Sequence, residues 1–166
     1  MRRVFAYLSL VVFIALGILA YEKRHAMRLL KSHQAIKEDV FEVVIRDLLP
    51  EIPGKESGRG VIFLSFAEDG NDHDPPDDFI ARFRNLLVEI RKVSLHVKDE
   101  FGTVKDKQGQ IGAIIRLYDV DKQGFFKRTA RVRFYFWAWG QESYLVHLEL
   151  TNTGWKVTNV NLTSIT

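Results

Sequence analysis

The chain has 166 residues, 46% of them hydrophobic and 27% charged, with twelve Phe, five Tyr and three Trp; this is a composition that folds rather than one that stays disordered. It contains no Cys, which excludes disulfide frameworks, thiolate metal sites and Cys nucleophiles. The formal net charge is +3, and setting aside Arg2 and Arg3 leaves 22 Lys and Arg against 21 Asp and Glu, too even a balance for phosphate-backbone binding, so no nucleic-acid partner is expected.

Met1-Arg2-Arg3 is followed by Val4 to Ala20, a run without a charge, and then by Glu22, Lys23, Arg24 and His25. This is a basic start and an apolar stretch, long enough to sit at the lower limit for a bilayer span and slightly long for a cleaved signal. Two readings stand: an uncleaved anchor that contacts the membrane through residues 4–20, or a signal peptide that is removed. Either makes residues 1–25 a targeting or anchoring segment and residues 26–166 the folded domain. The domain is expected outside the cytoplasm, at the periplasm or cell surface, or secreted if the segment is cleaved.

From Ala26 to Leu49 the apolar residues Met27, Leu30, Ile36, Val40, Phe41, Val44, Ile45 and Leu48 recur at three- and four-residue spacing, which predicts a long amphipathic helix ended by Pro50 and Pro53. Residues 53–60 read as a loop, and Val61 to Phe66 as a buried strand. Asp74-Pro75-Pro76-Asp77-Asp78 is a helix-start signal, with Asp74 as the capping side chain; Phe79, Ile80, Phe83, Leu86 and Leu87 supply that helix's apolar face. Beyond residue 92 the period changes to two. Val93 to Val97, Ile111 to Val120, Phe125 to Trp139, Tyr144 to Thr151 and Trp155 to about Thr163 alternate apolar and polar, separated by short Gly-containing turns, which predicts antiparallel hairpins.

Three segments carry a family resemblance: Gly60-Val61-Ile62-Phe63-Leu64-Ser65, then Asp74-Pro75-Pro76-Asp77-Asp78-Phe79-Ile80-Ala81-Arg82-Phe83 with Lys92-Val93-Ser94, then Gly154-Trp155-Lys156-Val157. Over roughly residues 60 to 160 the chain resembles a bacterial group of uncharacterised NTF2-like (cystatin-like) proteins. The resemblance implies an α+β cone in which a long amphipathic helix and a short one pack on a curved antiparallel sheet, preceded by a signal or anchor segment. It implies no activity. The acidic stretch Glu68 to Asp74 and the extended strand Phe125 to Trp139 depart from the group's pattern.

Three places carry chemistry worth weighing. The acidic stretch Glu68-Asp69-Gly70-Asn71-Asp72-His73-Asp74 offers oxygen ligands at alternate positions, as calcium requires, but lacks a closing Glu and reads more simply as a solvated loop and helix cap, so no metal and no cofactor are expected. On the strand Phe125 to Trp139, alternation turns Val132, Phe134, Phe136 and Ala138 to the core and gathers Arg131, Arg133, Tyr135, Trp137 and Trp139 on the other side, a composition suited to a protein partner or a homodimer through that sheet face. Arg116 and Tyr118 from one neighbouring strand, and His147 and Glu149 from the other, are expected to join it. That face reads in three ways: an amphipathic exterior with Arg paired to Glu149, a partner surface, or a small-molecule pocket. As a pocket, His147, Glu149 and Tyr135 are the acid-base candidates of an isomerase- or dehydratase-like reaction. No nucleophile elbow, phosphate loop or His-x-x-x-His pair occurs, so the reading leans to a non-enzymatic interaction or ligand-binding domain, tethered or exported.

Overall fold

A computed structural model describes residues 37–51, 60–137 and 140–166, together with Gly17, Ile18, Ala20 and Tyr21. The chain forms two compact units, Met1–Ile36 and Lys37–Thr166. In the first, the described residues are helical and exposed. The rest of the apolar run at 4–20 lies outside the described residues, and among those described no helix is long and apolar enough to cross a membrane.

The second unit opens with α1 (Lys37–Leu48). Glu38 and Asp39 lie in its first turn and Arg46 in its last, complementing the helix dipole, while Val40, Phe41, Val44, Ile45 and Leu48 form one buried stripe. Leu49-Pro50-Glu51 ends it as a 3-10 turn. Strand β1 (Val61–Glu68) turns at Asp69-Gly70 into β2 (Asn71–His73). Both turn residues have positive φ, 50° and 81°, the conformation that a two-residue hairpin of primed type demands. After α2 (Asp77–Ala81) come β3 (Glu89–Lys92), a 3-10 turn at Val93–Leu95, the small hairpin β4 (Val97–Lys98) and β5 (Val104–Lys105), and then four long strands. These are β6 (Gly112–Lys122), β7 (Lys127–Trp137), β8 (Gly140–Thr151) and β9 (Gly154–Ile165).

Seven strands make one sheet in the order β2-β1-β6-β7-β8-β9, with β3 also on the outer side of β1. The sheet is mixed: β3 and β6 run parallel to β1, whereas β6 to β9 form an antiparallel meander. α1 packs against β6, β7 and β9. On this first face Phe66 links Phe41 at 5.5 Å to Phe79 at 5.2 Å, and Phe83 stands edge-on to Phe79. Arg82 ties the helices together, donating to Asp39 at 2.8 Å and to Glu38 at 3.2 Å. On the second face, the segment from Val93 to Lys105 covers part of the sheet, and Val61, Phe63, Val93, Val104 and Ile114 form a separate buried cluster. With both its faces covered, β1 is the continuous apolar run that its sequence suggests.

The α+β cone with a long helix on an antiparallel sheet is overturned. Among the described residues, Lys37–Thr166 is mostly β-sheet with two short α-helices. The described helix begins at Lys37 rather than Ala26, and residues 26–36 lie outside the described residues. α2 stops at Ala81, so Leu87, expected on its apolar face, is fully exposed in the following loop. Asp74 does not cap α2; its carboxylate accepts hydrogen bonds from Ser94 N at 2.9 Å and Ser94 Oγ at 2.6 Å. That capture turns Val93–Leu95 away from the extended path predicted for Val93 to Val97. The acidic stretch is a hairpin, not a loop, because Asp69-Gly70 closes it.

Candidate interaction face

Register decides which side chains share the second face. Across β1, β6, β7 and β8 the Cα partners Ser65, Arg116, Arg133 and Ser143 form one row. Thr129, Arg131, Arg133 and Tyr135 on β7 face His147, Leu145, Ser143 and Gln141 on β8. Arg116, Tyr118, Arg131, Arg133, Tyr135, His147 and Glu149 are therefore on one side of the sheet, but at different places along it. Trp137 lies at the end of β7 and Trp139 lies outside the described residues.

The middle of the face is a closed polar row. Arg116 donates to both oxygens of Asp72, from Nε at 2.8 Å and Nη2 at 2.7 Å, and the fully buried Ser65 donates its Oγ to the same carboxylate at 2.7 Å. This fork geometry is the strong form of a carboxylate pair. Burial pushes the Asp72 carboxyl up, but the hydrogen bonds from Arg116 and Ser65 and the charges of Arg116 and His96 outweigh it, holding it below the ordinary carboxylate range. The Asp72 hydrogen bond in turn raises the Arg116 guanidinium against its own desolvation. Arg133 donates from Nε to Ser143 Oγ at 3.1 Å and lies 5.3 Å over the Tyr118 ring. Arg116, Arg133 and Tyr118 are thus engaged within the protein.

At one end, Tyr135 packs on the Val61, Phe63, Val104 cluster, and Lys98 Nζ stands 4.4 Å over its ring. Nearby Asp106, 3% exposed, accepts from Gln108 N, Gln110 N and Arg91. Burial pushes the Asp106 carboxyl up, yet these three donors hold it below the usual range. Toward the other end the face is open. Asp121, Thr129, Arg131, His147, Glu149 and Asn159 line a groove of about 790 Å³. Arg131 is exposed and makes no ion pair among the described residues; it faces Leu145, while Glu149 faces Lys127 rather than an Arg. His147 accepts at Nε2 from the Asn161 side-chain amide at 3.1 Å.

The triad proposed for a pocket does not assemble. Tyr135 lies opposite Gln141, six residues from His147 along β8, a separation of roughly 20 Å at the rise of a strand. Among the described residues no three His, Asp or Glu side chains gather to hold a metal; Asp72 and Asp74 of the acidic stretch are taken by Arg116 and Ser94, and Glu68 is paired with Lys37 at 2.7 Å. The sequence marks Asp72 only as a metal-ligand candidate, and its pairing with Arg116 and Ser65, like the role of Asp106, is not foreseen there. The Asp-Gly pair at 69–70 was the available signal, since the hairpin it closes sets Asp72 opposite Ala67, beside Ser65 on the same face.

No protein-family model, no curated protein and no solved structure matches the chain.

Proposed function

We propose that this chain is a non-enzymatic interaction domain, held at or exported across a membrane by its apolar segment at residues 4–20, that takes a protein partner on the open part of its second sheet face. The observation that carries the reading is the division of that face: one end is covered by the Val93–Lys105 segment and its middle is closed by the Asp72 and Arg116 pair, whereas Arg131, His147 and Glu149 line an open groove. An exposed Arg beside a His and a carboxylate supplies charge and donors without a nucleophile or a converging acid and base. The aromatic and basic tip between β6 and β7 supports a site near lipid, since Phe125 is 66% exposed with Lys122 Nζ 5.4 Å over its ring and Lys127 and Arg128 follow.

The test is the size of the complex that the full chain forms in gently solubilised membranes. Reversing charge with Arg131→Glu together with His147→Ala should release the chain from its complex while leaving its thermal unfolding unchanged. A complex of unaltered size from the double variant contradicts the partner site, and recovery of the chain in a soluble fraction with its N-terminal apolar segment removed distinguishes export from tethering.

A further inference from the structure

The two edges of the seven-stranded sheet are finished differently. On the outer side of β1 lie β2 and β3, three and four residues long and bearing Asp72, His73, Glu89, Arg91 and Lys92. Short charged edge strands are how sheets avoid pairing with other chains. The opposite edge is β9, twelve residues with Lys156 as its only charge and no Pro; Leu162 is 49% exposed and Ile165 65%. Among the described residues no strand pairs with its outer side. Bulges interrupt its pairing with β8 between Ser143 and Tyr144 and between His147 and Leu148, and the extra residues Thr163 and Thr158 bond their hydroxyls back to Ser143 O and His147 O. Asn159–Leu162 is the regular stretch between them.

We propose that β9 pairs antiparallel with β9 of a second copy about a two-fold axis through Asn161, joining two sheets into one. A two-fold perpendicular to the sheet sets each residue opposite its mirror about the axis. Through Asn161 it places Val160 against Leu162 and Val157 against Ile165, all four on the first face by their register with β8. It also places Asn159 against Thr163 and Thr158 against Ser164. The one charge, Lys156, meets Thr166, so no like charges oppose. An axis through Val160 instead sets Leu162 on Thr158 and Val157 on Thr163, and one through Leu162 sets Val160 on Ser164 and Ile165 on Asn159. Those two axes set Val160 or Leu162 on itself but leave other apolar residues on polar ones, whereas the Asn161 axis gives Val157, Val160, Leu162 and Ile165 apolar partners and covers the exposed Leu162 and Ile165.

The pairing needs neither the membrane segment nor a partner in the groove, which Asn159 borders, and the absence of native Cys makes its register directly testable. Opposed residues in an antiparallel pair are about 4.5–5.5 Å apart at Cα, within disulfide reach. In the full chain, mild oxidation should convert Asn161→Cys to a disulfide-linked dimer, whereas Asp47→Cys, exposed on α1, should stay monomeric. Asn161→Lys and Asn161→Glu, each alone, should sediment as monomers, and their mixture should regain the dimer mass. Equal linking at positions 161 and 47, or intact dimers in the separate charge variants, overturns the proposal. Failure of the chain to associate with membranes leaves these readouts unaffected and bears only on the tether.

Discussion

Asp72 shows what a single carboxylate does in this sheet. It sits where β2 meets the second face, and losing water there costs free energy that two bonds from Arg116 and one from Ser65 offset. Its folded value is held below the ordinary 3.9 or so of an unfolded Asp, so the stability it contributes is fully present above that value and is lost as pH falls through the folded one. Asp72→Asn should therefore destabilise the protein by about 1–3 kcal/mol at neutral pH, and the deficit should shrink on acidification below about pH 4; urea denaturation at several pH values measures both. A deficit independent of pH contradicts the role given to the charge. Asp106 is a second case, since one carboxylate closes the Asp106–Gln110 turn and anchors Arg91. Asp106→Ala should leave two turn amides and a guanidinium short of a partner, at a cost of about 1–3 kcal/mol in the same measurement. Neither residue stands out in the sequence, because an acidic stretch and a Gly-containing turn announce polarity without saying which cation the fold will bring.

At the scale of elements, the two-residue alternation after position 110 was legible and the structure carries it as β6 to β9. It also foretold the faces: Val132 and Phe134 are buried while Arg131 is exposed. Short segments were not legible. Val93, Leu95 and Val97 alternate by chance, and Ser94 is pinned to Asp74, twenty residues earlier, an interaction that no local pattern encodes. The parallel pairing of β1 with β3 and β6 was equally hidden, because turn chemistry reports neighbours in sequence and says nothing of strands joined by a crossover. One glycine marks that pairing. At Gly112 a Cβ would lie 2.3 Å from Val61 O and 2.8 Å from the Val61 side chain. Gly112→Ala must push β6 away from β1 and should cost about 1–3 kcal/mol, read as a lowered denaturation midpoint. An unchanged midpoint contradicts the close approach of these strands.

For the molecule as a whole, helices were over-read and sheet under-read, for one physical reason. Pro50, Pro75 and Pro76 bound helical patterns that run on in composition, while the strands of eleven and twelve residues set the size of the core that α1 and α2 can cover. The sheet that results has its first face covered by helices except along β9 and its second only partly covered, and the proposed function lives on the open part of the second. Its most direct test is a photo-activated crosslinker placed at Arg131 in the full chain in its native cells, with the same group at Asp47 on the solvent side of α1 as the comparison. The account predicts a discrete adduct of higher mass from position 131, abolished by His147→Ala with Glu149→Lys, and none of that mass from position 47. Adducts of the same mass from both positions, or none from 131 in a chain that is expressed and folded, would contradict it.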